Sequence, residues 1–156
     1  MQEQQNEQTE SRWQKIGQHG ELLNFDALHW AAAVDKKTKL MWAINPSKTA
    51  DFPNPNQELT WDEAKVWVDY VNTQGWCGFN NWRLPTMRKL KTLITKRRQP
   101  NFFIREDIFN DISDKYYRVL SSLPITYSDA WVVHFLGGSG HFSNKNAYCV
   151  RLVRSA

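Results

Sequence analysis

Apolar positions come as short runs early in the chain, at spacings of three and four in the middle, and as short runs again near the end. Residues 29–34 (HWAAAV) and 39–44 (KLMWAI) flank a polar tetrad, DKKT. Two apolar runs about a polar turn predict a β-hairpin, although alanine is a weak strand former. Before them, residues 12–23 (RWQKIGQHGELL) predict a short strand, a turn at His19 and Gly20, and a return. Then the period changes. Trp61, Ala64, Trp67, Val68 and Val71 form one helical stripe. Thr60 and Glu63 stand as a capping box, the hydroxyl accepting from the Glu63 amide while the carboxylate reaches back. Gly75 ends the helix, because it tolerates the left-handed conformation found there.

Leu84 precedes Pro85, which pushes Trp82, Arg83 and Leu84 into an extended segment. Thr86 then caps a second helix with Leu90, Leu93 and Ile94 on its inner face, and Pro100 stops it. Trp82, Leu84, Pro85 and Thr86 read as structural: proline sets the entry, threonine caps, and the ring and leucine fill the core. Residues 101–115 form a connector carrying Phe102, Phe103, Ile104, Ile108 and Phe109, packed without a long helix. Residues 116–122, 130–135 and 147–154 predict three strands, with a hairpin turn at the glycine-rich residues 137–140. Residues 45–58 hold three prolines and predict a surface loop. Residues 1–11 are Gln/Glu-rich and predict a disordered tail, leaving 12–156 as a single domain.

Composition adds a partner type. The chain has 8 Trp, 8 Phe and 5 Tyr, rings that suit both cores and binding surfaces. A net charge of +4 suits an anionic partner without requiring one. Two cysteines, Cys77 and Cys149, permit one disulfide and no Cys-only metal site. No run is apolar for the roughly 18 residues of a membrane span, so direct membrane insertion is not expected. Residues 1–10 show no signal peptide, which leaves open both a cytosolic protein and one whose leader has been removed.

Catalytic motifs are missing: there is no Gly-x-Ser-x-Gly, P-loop, HExxH or dinucleotide fingerprint. Each cysteine lies in an apolar or aromatic setting that raises a thiol pKa, so no catalytic residue and no cofactor are expected. The second helix has a basic face on which Arg88, Lys91, Lys96, Arg97 and Arg98 are candidates to grip sulfate, phosphate or carboxylate, the alternative being a solvated face. Nucleic acid is not expected, since no recognised nucleic-acid-binding pattern accompanies the charge. His134 and His141 share a hairpin face, but no third metal ligand is evident. Trp131, Ser139, His141, Ser143, Asn144, Lys145 and Asn146 form the other candidate, an exposed turn with a ring for stacking and small donors for hydroxyls.

The phrases LTWDEAKVWVDYVN, GWCGFNNWRLPTMRKLKTLI, DAWVVHFLGG and YCVRLVR come in that order, with KLMW after the DKKT turn. In these the chain resembles the Lcl C-terminal domain family of bacterial collagen-like adhesins, over residues 12–154. The resemblance implies a C-type-lectin-like α+β fold with two helices, a small twisted antiparallel sheet and long loops. It implies an adhesion module at the cell surface, secreted or periplasmic, that binds glycans including sulfated polysaccharides. Lys89 departs from the family's glutamate, residues 117–122 from its YWSS segment, and Ala31, Ala32 and Ala33 stand where many relatives carry a cysteine. The acid–amide pairs by which C-type lectins hold calcium and sugar are missing, so no calcium is expected. The expectation is a non-enzymatic module for a glycan or a surface protein. The alternatives are an intracellular or phage-borne protein-interaction domain and, behind it, an enzyme using Cys77 or Cys149.

Overall fold

A computed structural model describes residues 12–44, 61–111, 118–124, 129–135, 139–144 and 150–156. The elements are β1 (Trp13–Ile16), β2 (Ala32–Asp35), β3 (Leu40–Ala43), α1 (Trp61–Gln74), α2 (Met87–Lys91), β4 (Arg118–Pro124), β5 (Asp129–His134), β6 (Ser139–Asn144) and β7 (Val153–Ser155). The fold is α+β. The expectation of one small sheet needs correction, because the strands divide into two antiparallel sheets, β1-β2-β3-β7 and β4-β5-β6.

The first sheet is buried on both faces, which explains why its strands read as continuous apolar runs rather than alternating ones. Ile16, Ala32, Met41 and Ala43 belong to a cluster with Ala64, Trp67 and Val71 of α1. Trp13, Ala33, Trp42 and Val153 belong to a second cluster with Leu90, Leu93, Ile104, Phe109 and Val133. The alanines that weaken the strand pattern have a packing reason. Ala33 stands opposite Trp42, a fully buried ring, so a small residue beside a large one fills the space.

The β2–β3 turn is organised by Asp35, itself fully buried. Its carboxylate accepts from the Lys37 amide at 3.0 Å and the Thr38 hydroxyl at 2.9 Å. It also accepts two bonds from the Arg12 guanidinium at 3.0 Å.

In α1, Ala64, Trp67 and Val71 are buried as the helical stripe predicts, and Gly75 closes the helix with φ 71° and an N–H bond to Val71 O at 3.0 Å. Thr60, the predicted cap, lies outside the described residues, and Glu63 sits with Asp62 in the first turn, where the helix dipole favours acids. A 3-10 turn, Trp76–Gly78, follows. It carries the Trp76 indole N–H to Ala31 O and the Trp82 indole N–H to Trp76 O, both at 2.9 Å. The chain then runs extended, and Arg83 bridges Val153 at the outer edge of β7. Leu84 and Pro85 are buried beside it.

Thr86 caps α2 by accepting from the Lys89 N–H at 3.2 Å. The helix is much shorter than predicted, ending at Lys91 rather than at Pro100. Thr92 turns its hydroxyl back onto Lys89 O at 2.6 Å, and Leu93 and Ile94 make three-residue bonds to Leu90 and Lys91. Thr95 N–H then hooks onto Phe103 O at 3.0 Å. Branched side chains at 92, 94 and 95 add to the cost of continuing a helix. Over its described residues, 101–111, the connector packs without a long helix, as predicted, and buries Phe102, Ile104, Ile108 and Phe109.

In the second sheet, α2 packs against β4, β5 and β6. The predicted strand over 147–154 is confined, among the described residues, to Val153–Ser155. Residues 45–60, which hold the predicted proline-rich loop, lie outside the described residues. No helix among the described residues is long and apolar enough to cross a membrane.

Candidate functional site

The predicted sugar-binding turn is in fact a strand. Ser139, His141, Ser143 and Asn144 all lie on β6, which pairs with β5 from His134↔Ser139 to Asp129↔Asn144. Glycines suggested a turn centred near Gly138, but the pairing leaves only residues 135–138 to connect the strands. In the register Ser139 pairs with His134, His141 with Val132, Ser143 with Ala130 and Trp131 with Phe142. Lys145, Asn146 and Cys149 lie outside the described residues.

The basic cluster is likewise rearranged. Because α2 ends at Lys91, Arg88 and Lys91 sit on the helix while Lys96, Arg97 and Arg98 sit on the bend after it, all five exposed. They do not make one helix face. Arg98 leans over the Phe103 ring at 5.6 Å.

Lys96 has gained other company. It lines a recess of about 320 Å³ with Arg12, Lys37 and Arg105, over a floor that includes Trp13 and Phe109 and a wall holding Thr92 and Thr95. Four cations thus come from four separate segments. Two are neutralised: Arg12 pairs with Asp35, and Arg105 pairs with Asp107 at 2.6 Å. The ammonium groups of Lys37 and Lys96, both exposed, enter no ion pair among the described residues. The net field of the recess is therefore positive. Sequence reasoning missed Arg12, Lys37 and Arg105, since only the β2–β3 turn and the connector fold bring them to Lys96.

Cys77 is a free, buried thiol held at φ 57° in the 3-10 turn. Burial, with the Glu21 charge adding to it, pushes its pKa up to about 12. Among the described residues, no three His, Cys, Asp or Glu side chains converge to hold a metal ion.

A two-sheet α+β domain with a cation-lined surface recess is the class of protein these features define. The chain belongs to the Lcl C-terminal domain family, whose profile matches residues 31–154. β1 and Arg12 precede the matched span, yet β1 supplies an edge of the first sheet and Arg12 a wall of the recess. No curated protein matches the chain.

Proposed function

We propose that this domain is a non-enzymatic binding and adhesion module for a glycan carrying sulfate or carboxylate groups, working at the bacterial surface on a C-type-lectin-like fold. The observation that carries the reading is the recess in which Lys37 and Lys96 are unpaired among the described residues. An anionic group entering it meets two uncompensated ammoniums, while the hydroxyls of Thr92 and Thr95 are already donated to Lys89 O and Arg97 O. Exposed cations of this kind steer a polyanion and hold it weakly at each contact, so affinity comes from repeated contacts and falls with salt. A thiol held protonated at neutral pH, as Cys77 is, favours a binder over a cysteine enzyme.

A glycan array that includes sulfated polysaccharides, run at two salt concentrations and with a chelator, tests the reading. The expected result is binding that weakens with salt and ignores the chelator. A protein partner is the second reading, favoured by Leu22 and Leu28, which are 74% and 83% exposed on the loop between β1 and β2. Silence across the array, with a partner recovered by pull-down, would put that reading first.

A further inference from the structure

A second concavity, of about 490 Å³, is formed by the loop between β1 and β2, the residue after β3, and Trp76. It shares no lining residue with the cation-lined recess. We propose that it is a separate binding site for an uncharged saccharide ring. Its volume lies within the range of roughly 300–1,000 Å³ common to small-molecule sites.

Two indoles line it, Trp30 and Trp76. Both ring N–H groups are already committed to backbone carbonyls, Trp30 to Ile108 O and Trp76 to Ala31 O, each at 2.9 Å. Lys15 fixes Trp30 a second time, its ammonium 3.7 Å from the ring centroid and bonded to Ala27 O at 2.9 Å. The rings are therefore held in place: half-buried Trp30 offers a ligand carbon surface, and Trp76, 8% exposed, adds a strip of it. That suits the C–H face of a sugar.

The polar complement is on the same loop. Gln18, His19 and His29 line the pocket, all exposed, and none uses its side chain in a hydrogen bond among the described residues. An amide and two imidazoles supply both donors and acceptors, as a ring of hydroxyls requires. Glu21 is the single acidic group in the lining, and no Lys or Arg lines the pocket. A fixed carboxylate accepts from hydroxyls and repels sulfate or phosphate, so the chemistry selects a neutral ring.

The wall is built rather than loose. Glu21 folds back to accept the His19 N–H at 2.8 Å, over Gly17, where any Cβ would collide with the carboxylate. Gly17 and Gly20 close the turn through Gly17 N–H to Glu21 O at 2.8 Å and Gly20 N–H to Gly17 O at 3.0 Å. Gly20 holds φ 80° and abuts the Cys77 carbonyl so closely that a Cβ would come within 2.9 Å of it. Preorganisation of this kind lowers the cost of binding a small ligand.

The experiment titrates glucose, galactose, mannose and N-acetylglucosamine against the intact chain, read by saturation-transfer NMR and tryptophan fluorescence. At the efficiency usual for small ligands, one of the sugars should bind with a Kd on the order of 1–10 mM. That binding should be unchanged by salt. It should fall at least about fivefold when Gln18→Ala and His29→Ala are combined, since the variant removes two of three free polar side chains. It should survive Lys37→Ala with Lys96→Ala, so failure of the anionic recess and failure of this pocket are read separately. The proposal is overturned if no sugar binds up to about 50 mM, well above the expected Kd. Binding of tetramethylammonium in place of sugars, or sugar binding that persists in the Gln18/His29 variant, overturns it as well.

Discussion

Asn72 and Trp82 hold each other by two hydrogen bonds. The Asn72 amide donates to Trp82 O at 2.8 Å, and its carbonyl oxygen accepts the Trp82 N–H at 2.7 Å. A side chain in the last turn of α1 thereby acts as a one-residue strand partner for the segment leading to α2. The clasp seats the Trp82 indole in the core, edge-on to Phe79 with centroids 6.4 Å apart.

Removing that clasp leaves a donor and an acceptor of the Trp82 backbone unpaired. Asn72→Ala should therefore cost about 2–4 kcal/mol. For a domain of this size that is a fall in Tm of roughly 5–10 °C by calorimetry. Asn72→Asp should cost a similar amount, because the lost donor leaves a carboxylate facing a carbonyl. An unchanged Tm in both variants would show that Trp82 is seated by packing alone.

Asp35 sets an acid limit on stability. Burial works to raise its pKa, but the bonds from Arg12, Thr38 and the Lys37 amide outweigh it and hold the pKa below the usual carboxylate value. A depressed folded pKa gives stability that is present above the unfolded value of roughly 4 and is lost as pH falls through the folded one. Asp107 is lowered too, mainly by its bond from Arg105, so the wild type should weaken on both accounts below pH ~4. Asp35→Asn isolates the first. In urea unfolding it should cost about 3 kcal/mol at pH 7, the scale for breaking a buried pair, and less at pH 3. A cost equal at both pH values would mean the turn needs only the shape of the side chain.

Most of the local structure was legible, for reasons that can be stated residue by residue. The rhythm of Ala64, Trp67 and Val71, the stop at Gly75 and the cap at Thr86 act over four residues or fewer, and pattern reading works at that range. The hairpin about Asp35 was legible from its polar tetrad. The length of α2 was not, because the hook from Thr95 to Phe103 ends it through a contact with the connector. The start of β6 was not legible, because Ser139 and Gly140 continue a glycine-rich run in the sequence yet pair as strand. The recess was out of reach altogether: Arg12, Lys37, Lys96 and Arg105 share no spacing, and only the tertiary fold brings them together.

Lys39 carries a backbone cost that can be relieved. It closes the β2–β3 turn at φ 61°, donating its N–H to Asp35 O at 2.8 Å, and its side chain is exposed. The left-handed region costs a residue with a Cβ about 1–2 kcal/mol, and glycine adopts it freely at the expense of a more flexible unfolded chain. Lys39→Gly should therefore gain up to about 1 kcal/mol, a rise in Tm of roughly 2–4 °C. A fall in Tm would show that the Lys39 side chain contributes more than its backbone strain removes.

Cys77 should behave as an inert thiol while the chain is folded. With its pKa near 12, roughly one part in 10⁴ is thiolate at pH 8. Iodoacetamide at pH 8 should leave Cys77 unlabelled in native buffer and modify it readily in denaturant, read by peptide mass spectrometry. Fast labelling of the native protein would restore the cysteine-enzyme alternative and set aside the binding reading.

The last prediction separates two placements of the anion site. If the basic residues worked as one helix face, Arg88 and Lys91 would matter as much as Lys96. In the structure Lys96 and Lys37 both line the recess, and Arg88 and Lys91 line no part of it. Exposed ion contacts are each worth about 0.2–1 kcal/mol, so losing two should weaken binding about two- to thirtyfold. Lys37→Ala with Lys96→Ala should therefore reduce affinity for a sulfated polysaccharide by that factor and flatten its salt dependence. Arg88→Ala with Lys91→Ala removes the same net charge and should change affinity less. Equal losses would mean that only the overall field of the domain attracts the polymer, and the reverse ranking would return the site to α2.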